Sequence, residues 1–276
     1  MVFVTFDSRA RGRTGNQIIQ YLVCKVLEIK LGHKYISFQE FDIKQISKDQ
    51  TFVFNEQNID DLLNNTNNIW DEIKEKHFIG EGYFQKSEYF IKDRNSLLEN
   101  IQDENNTDYW IFEDKKVFIK DFLIYKNNYD FKEDDLVISL RLDDFIQLPC
   151  KTSDIIPPSF YTDILNQTKF RQLYIVCDKL TWDWEYNYLD FFKKWNPILI
   201  QGTILHDASI IRDCKRLIHS NSTFCWIMSF FSETKMQRFI PNTHFYSHQS
   251  FFKIKDDDTI IDVIPLTHKE VFEIHI

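Results

Sequence analysis

Arginine, aspartate and small hydroxyl residues stand at the ends of several apolar runs, where a parallel sheet would present them to a ligand. Ser139-Leu-Arg-Leu-Asp-Asp144 closes a run that begins at Leu136. Side chains alternate across a strand, so Ser139, Arg141 and Asp143 share one direction and Leu142 takes the other. An arginine at such a strand end can hold a pyrophosphate through two parallel hydrogen bonds. It can also oppose the charge that builds on a departing diphosphate. The same arginine can instead form a structural salt bridge with Asp143 or Asp144. Asp178 ends the run Leu173 to Cys177, where a carboxylate accepts hydrogen bonds from a base or ribose edge, or caps the next helix. In Ser220-Asn-Ser-Thr-Phe224, the Ser222 and Thr223 hydroxyls and nearby amides make an anion site at a helix start, or cap that helix.

The other concentrated segment is Gly12-Arg-Thr-Gly-Asn-Gln-Ile-Ile-Gln-Tyr21. Glycine permits a tight turn that brings backbone amides to a ligand, and Asn16 and Gln17 both donate and accept. The glycines can equally just turn the chain while Asn16 caps a helix.

Elements that would position these residues can be traced along the chain. Val2 to Phe6 is β-rich. Ile18, Leu22, Val26 and Ile29 recur at helical spacing, Gly32 stands at a C-cap position, and Tyr35 to Phe38 resumes a strand. From Asp42 to Asp134 the periodicity weakens between Asn-rich clusters that read as loops. From Leu136 onward strands and helices alternate. Strands are expected at Leu136–Leu142, Leu173–Cys177, Ile198–Ile200, Arg216–His219 and Arg238–Ile240. Helices are expected at Ser159–Phe170, Trp182–Lys194, Asp207–Cys214 and Ser222–Phe231. That alternation implies βαβ units and parallel sheets. The expected organisation is two Rossmann-like domains, residues 1–130 and 131–276, facing a cleft.

A chain of 276 residues with 43% hydrophobic and 16% aromatic content can fill such cores. Its net charge of −9 argues against a broad nucleic-acid face but not against a local cationic pocket for a small anion. Five widely spaced cysteines, Cys24, Cys150, Cys177, Cys214 and Cys225, form no zinc spacing and read as buried thiols in a reducing compartment. The N-terminal apolar run is too short for a leader, and no stretch reaches the ~20 residues of a spanning helix. The expected location is the cytoplasm, with no metal and no membrane segment.

Taken in order, these segments resemble the glycosyltransferase family that contains the α-1,2-fucosyltransferases. Arg11-Gly-Arg-Thr-Gly-Asn-Gln-Ile-Ile-Gln-Tyr21 resembles its glycine–asparagine–glutamine signature, and Gly82-Tyr-Phe-Gln-Lys-Ser-Glu-Tyr-Phe90 a following block. Ser139 to Phe145 is similar to a His-x-Arg-Arg-Gly-Asp-Tyr donor motif, and Leu173 to Asp178 to a strand ending Ser-Asp-Asp. Asp207 to Trp226 is similar to a block ending Asn-Ser-Ser-Phe-Ser-Trp-Trp.

The resemblance implies a GT-B-like α/β fold and metal-independent, inverting transfer of fucose from GDP-fucose to a glycan hydroxyl. It also implies site roles. Arg141 would hold the pyrophosphate, Asp178 would read the base, and Asn221, Ser222 and Thr223 would touch phosphate. Ser139 falls on the donor motif, and Gly15, Asn16 and Gln17 would line the cleft. Asp144, Asp7 and Asp143 are alternatives for the general base, with Asp144 set beside Arg141 as catalytic. The chain departs from the motif at Ser139 for His, Leu142 for Arg, Asp143 for Gly, and Lys179 for the second carboxylate. These departures leave room for another nucleotide sugar, or for a homologue that binds glycan or nucleotide without turnover.

Overall fold

The computed structural model describes residues 3–6, 14–32, 34–35, 47–81, 84, 87–112, 115–142, 155–243 and 258–274. The chain divides into two units, Met1–Ile124 and Tyr125–Ile276, each organised around its own parallel sheet. Among the described residues no helix is long and apolar enough to cross a membrane.

The first unit opens with β1 (Phe3–Phe6), α1 (Thr14–Leu31) and β2 (Lys34–Tyr35). It continues with β3 (Thr51–Asn55), α2 (Ile59–Asn64), α3 (Ile69–Ile73) and β4 (His77–Glu81). After these come α4 (Arg94–Gln102), the strands β5 (Tyr109–Phe112) and β6 (Lys115–Phe118), and α5 (Asp121–Ile124). The sheet order is β2-β1-β4-β3, all parallel, and β5 and β6 form a separate antiparallel pair. α1 is buried from Ile18 through Leu27, which explains why its sequence is apolar on every side. The expected stripe breaks at Ile29, which is exposed. Gly32 ends the helix as read from the sequence: its φ is 70° and its N–H donates to the Glu28 carbonyl at 2.8 Å.

The second unit contains β7 (Leu136–Ser139), α6 (Pro158–Gln167), β8 (Leu173–Val176), α7 (Asp183–Asp190) and β9 (Ile198–Ile200). Then follow α8 (Ile204–Asp213), β10 (Arg216–Ile218), α9 (Thr223–Phe231), β11 (Gln237–Asn242), β12 (Thr259–Asp262) and α10 (His268–Phe272). The six strands are parallel in the order β12-β11-β10-β7-β8-β9. The chain therefore builds outward from β7 to β9, then returns to the other side of β7 and builds outward again. That is the strand order of a Rossmann-like doubly wound sheet, and its reversal lies between β7 and β10.

Alternation along β7 sets the two faces. Leu136, Ile138, Leu140 and Leu142 bury against Phe160 and Ile164 of α6, Tyr188 of α7 and Val271 of α10. Residues of the opposite phase turn toward α8 and α9. Ser139 interacts with Cys225 of α9, and Arg238, out of phase with Phe239, donates to the Ser229 carbonyl of α9 at 3.4 Å. Leu142 thus points away from Arg141. β12 and α10 extend the sheet and its first face beyond the last strand read from the sequence.

Candidate active site

The site develops along the carboxyl-terminal edge of the second sheet. In-register pairing of Ser139 with Val176 places Arg141 opposite Asp178, each two residues further on. Arg141 Nη1 donates to Asp178 Oδ2 at 2.7 Å, with Arg141 19% and Asp178 53% exposed. Arg141 therefore forms an ion pair across strands with Asp178. Asp143 and Asp144 lie outside the described residues, as do Asp7, Arg11 and Gly12. Asp178 is fixed from its other neighbour as well, since its carbonyl accepts Gln201 Nε2 at 2.8 Å.

Ser139 does not present its hydroxyl to the edge. It is 7% exposed and interacts with the Cys225 thiol, which burial pushes up to about 12. Strand phase turns the residue in the motif's histidine position under α9.

On the far side of the strand reversal, β10 runs into α9 through His219, Ser220, Asn221 and Ser222. Ser222 is the N-cap residue of α9, in extended conformation, and its side chain makes no capping bond. Its carbonyl accepts the Trp226 N–H at 3.0 Å, so the helix starts cleanly at Thr223. His219, Ser220 and Asn221 are 1%, 5% and 7% exposed, yet among the described residues His219 Nε2, Ser220 Oγ and Asn221 Oδ1 have no hydrogen-bond partner. Buried polar atoms without partners are costly. Here Ser220 and Asn221 flank the positive end of a nine-residue helix, beside the topological switch point. Burial, reinforced by the Arg238 charge, pushes His219 down to about 3 and keeps it neutral.

A third part of the edge was not singled out from the sequence. Between β9 and α8, the Gly202 N–H donates to Asp207 Oδ1 at 3.0 Å, and His206 Nδ1 lies 3.2 Å from the same oxygen. A Cβ on Gly202 would sit 2.6 Å from Asp207 Oδ1 and against the His206 ring, so only glycine fits this turn. Burial pushes Asp207 up to about 6, helped by the nearby Asp178 charge and opposed by His206 and Gly202. A carboxylate in the first turn of a helix that follows a strand and a glycine was the available signal.

Gly15, Asn16 and Gln17 belong to the first unit. They stand in the first turn of α1, which begins at Thr14, and not in a turn before the helix. The edge of the first sheet contrasts with the second. Phe6, Phe54 and Phe84 meet there with ring centroids 5.4–5.6 Å apart, all buried, and Phe6 and Phe54 pack over Gly80. Phe84 adopts φ 52°, and its N–H donates to Glu56 Oε1 at 3.0 Å. Aromatic rings thus fill the space beside the reversal between β1 and β4, whereas the second sheet keeps polar groups beside its own reversal. Among the described residues no group of three or more His, Cys, Asp or Glu is placed to hold a metal ion.

Fold and site together define an α/β protein with a Rossmann-ordered unit whose switch point carries an arginine and an open helix N-terminus. No family model matches the chain, and no curated protein matches it. Among solved structures it is similar to a crystal structure of POFUT1 in complex with GDP-fucose, at 12% identity and a TM-score of 0.38, covering 85% of this chain and 95% of that one. A crystal structure of POFUT1 in complex with GDP matches at 9% identity and a TM-score of 0.36, over 95% of this chain and 98% of that one. The apo form matches at 11% identity and a TM-score of 0.35, over 83% and 94%. At such TM-scores the likeness adds no argument of its own.

Proposed function

We propose that the chain is a glycosyltransferase with a GT-B-like fold that transfers a sugar, fucose from GDP-fucose in the leading reading, to a hydroxyl of a glycan acceptor with inversion. The observation that carries this is the pairing of Arg141, on one side of the β7/β10 reversal, with the partnerless Ser220 and Asn221 at the start of α9 on the other. Open α/β sheets bind ligands in the crevice outside the carboxyl ends of their strands at such a reversal. Neighbouring strands lie ~4.8 Å apart, close enough for the two phosphoryl groups of a diphosphate to reach both sides.

In the reaction the acceptor oxygen attacks the anomeric carbon and the bond to the diphosphate breaks. The diphosphate leaves with the bonding electrons, and the acceptor proton passes to a base. Arg141 and the α9 amides meet the leaving-group charge, with Asn221, Ser222 and Thr223 on the phosphates. The base is one of Asp144, Asp7 and Asp143. The second unit takes the donor because its switch point is polar while that of the first is filled by Phe6, Phe54 and Phe84. Gly15, Asn16 and Gln17 serve the sugar–phosphate end of the donor.

The inward turn of Ser139 favours a second reading, in which the same chemistry uses another nucleotide sugar, because the motif's histidine contact to the base is absent. Calorimetric titration with GDP, UDP, dTDP and their sugars, followed by turnover across an acceptor panel, separates these readings. A nucleotide sugar that is bound and consumed supports the enzyme, and its nucleotide decides the donor. Binding without consumption supports a non-catalytic homologue, and no binding by any of them overturns the proposal.

A further inference from the structure

We infer that Asp178 acts as a latch that competes with the ligand for Arg141, and so limits how tightly the site holds a nucleoside diphosphate. The inference rests on the nucleotide-binding reading of the site. Three observations lead to it. The Arg141 guanidinium meets Asp178 at 2.7 Å, on the β8 side of β7. The buried Ser220 hydroxyl, which can donate to an anion, lies with the start of α9 on the β10 side. The backbone of Asp178 is itself held through its carbonyl by Gln201 at 2.8 Å, which keeps the residue at the β8 strand end within reach of Arg141.

A diphosphate that bridges the reversal therefore draws Arg141 from one anion to another. Arginine can exchange carboxylate for phosphate with the same bidentate geometry. The exchange strengthens binding only by the difference between the two pairings, and when the diphosphate leaves, Asp178 recaptures the guanidinium. Asp178 is thus a positioning residue that acts through Arg141. This is opposite in sign to a role in reading the base or ribose, where loss of the carboxylate weakens binding.

Titration calorimetry with GDP and UDP, and with guanosine and uridine, on wild type, Asp178→Asn, Arg141→Ala and the double variant tests the latch. Asp178 is half exposed, so Asp178→Asn is expected to fold, and a thermal melt checks this. A partly exposed ion pair is worth little, so Asp178→Asn should tighten diphosphate binding by about twofold to fivefold. Nucleoside binding should not change, and in the Arg141→Ala background the Asp178→Asn effect should vanish. Weaker diphosphate binding in Asp178→Asn, with Arg141→Ala also weakened, overturns the latch and leaves the nucleotide site standing. Unchanged binding in Arg141→Ala overturns the nucleotide reading, and the latch with it.

Discussion

Arg238 and Asp258 form an ion pair at 2.7 Å in which both side chains are fully buried. Arg238 lies on β11, beneath α9, and Asp258 immediately precedes β12. The pair therefore fastens the outer end of the second sheet next to α9, whose first turn carries the proposed phosphate contacts. Removing one partner from a buried pair strands the other charge, at a cost of ~3–5 kcal/mol. Asp258→Asn is expected to lower unfolding free energy by about 3 kcal/mol in urea titrations. A change below ~1 kcal/mol would show that the guanidinium is adequately solvated without its partner.

Asp207 gives the protein a pH signature. Its carboxyl titrates at about 6 in the folded state, above the ~3.9 of an unfolded aspartate. Between those values the folded form binds more protons than the unfolded form. This group's contribution to stability is therefore full below pH ~4 and is lost as pH rises through about 6. Asp207→Asn should flatten the stability profile across that window by roughly 1–2 kcal/mol. A carboxyl carbon resonance of Asp207 titrating near 4 would contradict the assignment.

Gly202→Ala should disturb the same place by a different route. The new methyl would press on Asp207 Oδ1 and the His206 ring, so the turn must open at a cost of ~1–3 kcal/mol. The loss should show in thermal unfolding, together with an altered Asp207 titration.

Arg141→Ala is expected to lower donor affinity or turnover at least ~10-fold, because a charge-assisted hydrogen bond is worth about 1.5–3 kcal/mol. Arg141→Lys should recover only part of the loss, since an ammonium cannot bond two oxygens in parallel. Steady-state kinetics on the folded variants decides it, and unchanged constants would remove Arg141 from the mechanism.

Asn16→Ala should impair sugar transfer more than binding of the bare nucleotide, as expected of a residue proposed to meet the sugar–phosphate end of the donor. Equal losses in calorimetry and in turnover would remove that role.

Legibility in the sequence followed burial. The runs around Leu136, Leu173 and Arg216 are readable because the interior of a parallel sheet demands continuous apolar side chains; Ile198–Ile200 is readable as an apolar run although Ile198 and Leu199 are exposed on the edge strand β9. β12 escaped because Thr259 and Ile260 are exposed on an edge strand, which imposes no such pattern. β3 escaped for a similar reason, with only Phe54 buried. Arg141 and Asp178 could each be singled out as a charge at the end of an apolar run. Their partnership could not, because it depends on the register that sets Ser139 against Val176. The Gly202–Asp207 turn needed β9 to be placed beside β8 before its carboxylate could be seen as buried.

The returning strand order has a consequence for how the chain emerges from the ribosome. β7 finds β8 and then β9 soon after they are made, but its other edge waits until β10 has been synthesised. Through that interval the nascent half-sheet carries Leu136 to Ser139, a strand buried along its whole length in the finished protein, with its hydrogen-bonding edge bare. Unpaired apolar edges invite pairing with other chains. The crevice that would receive the ligand is thus also a seam that stays open until β10 is made, and a stalled or truncated product ending before β10 should be sticky and chaperone-dependent.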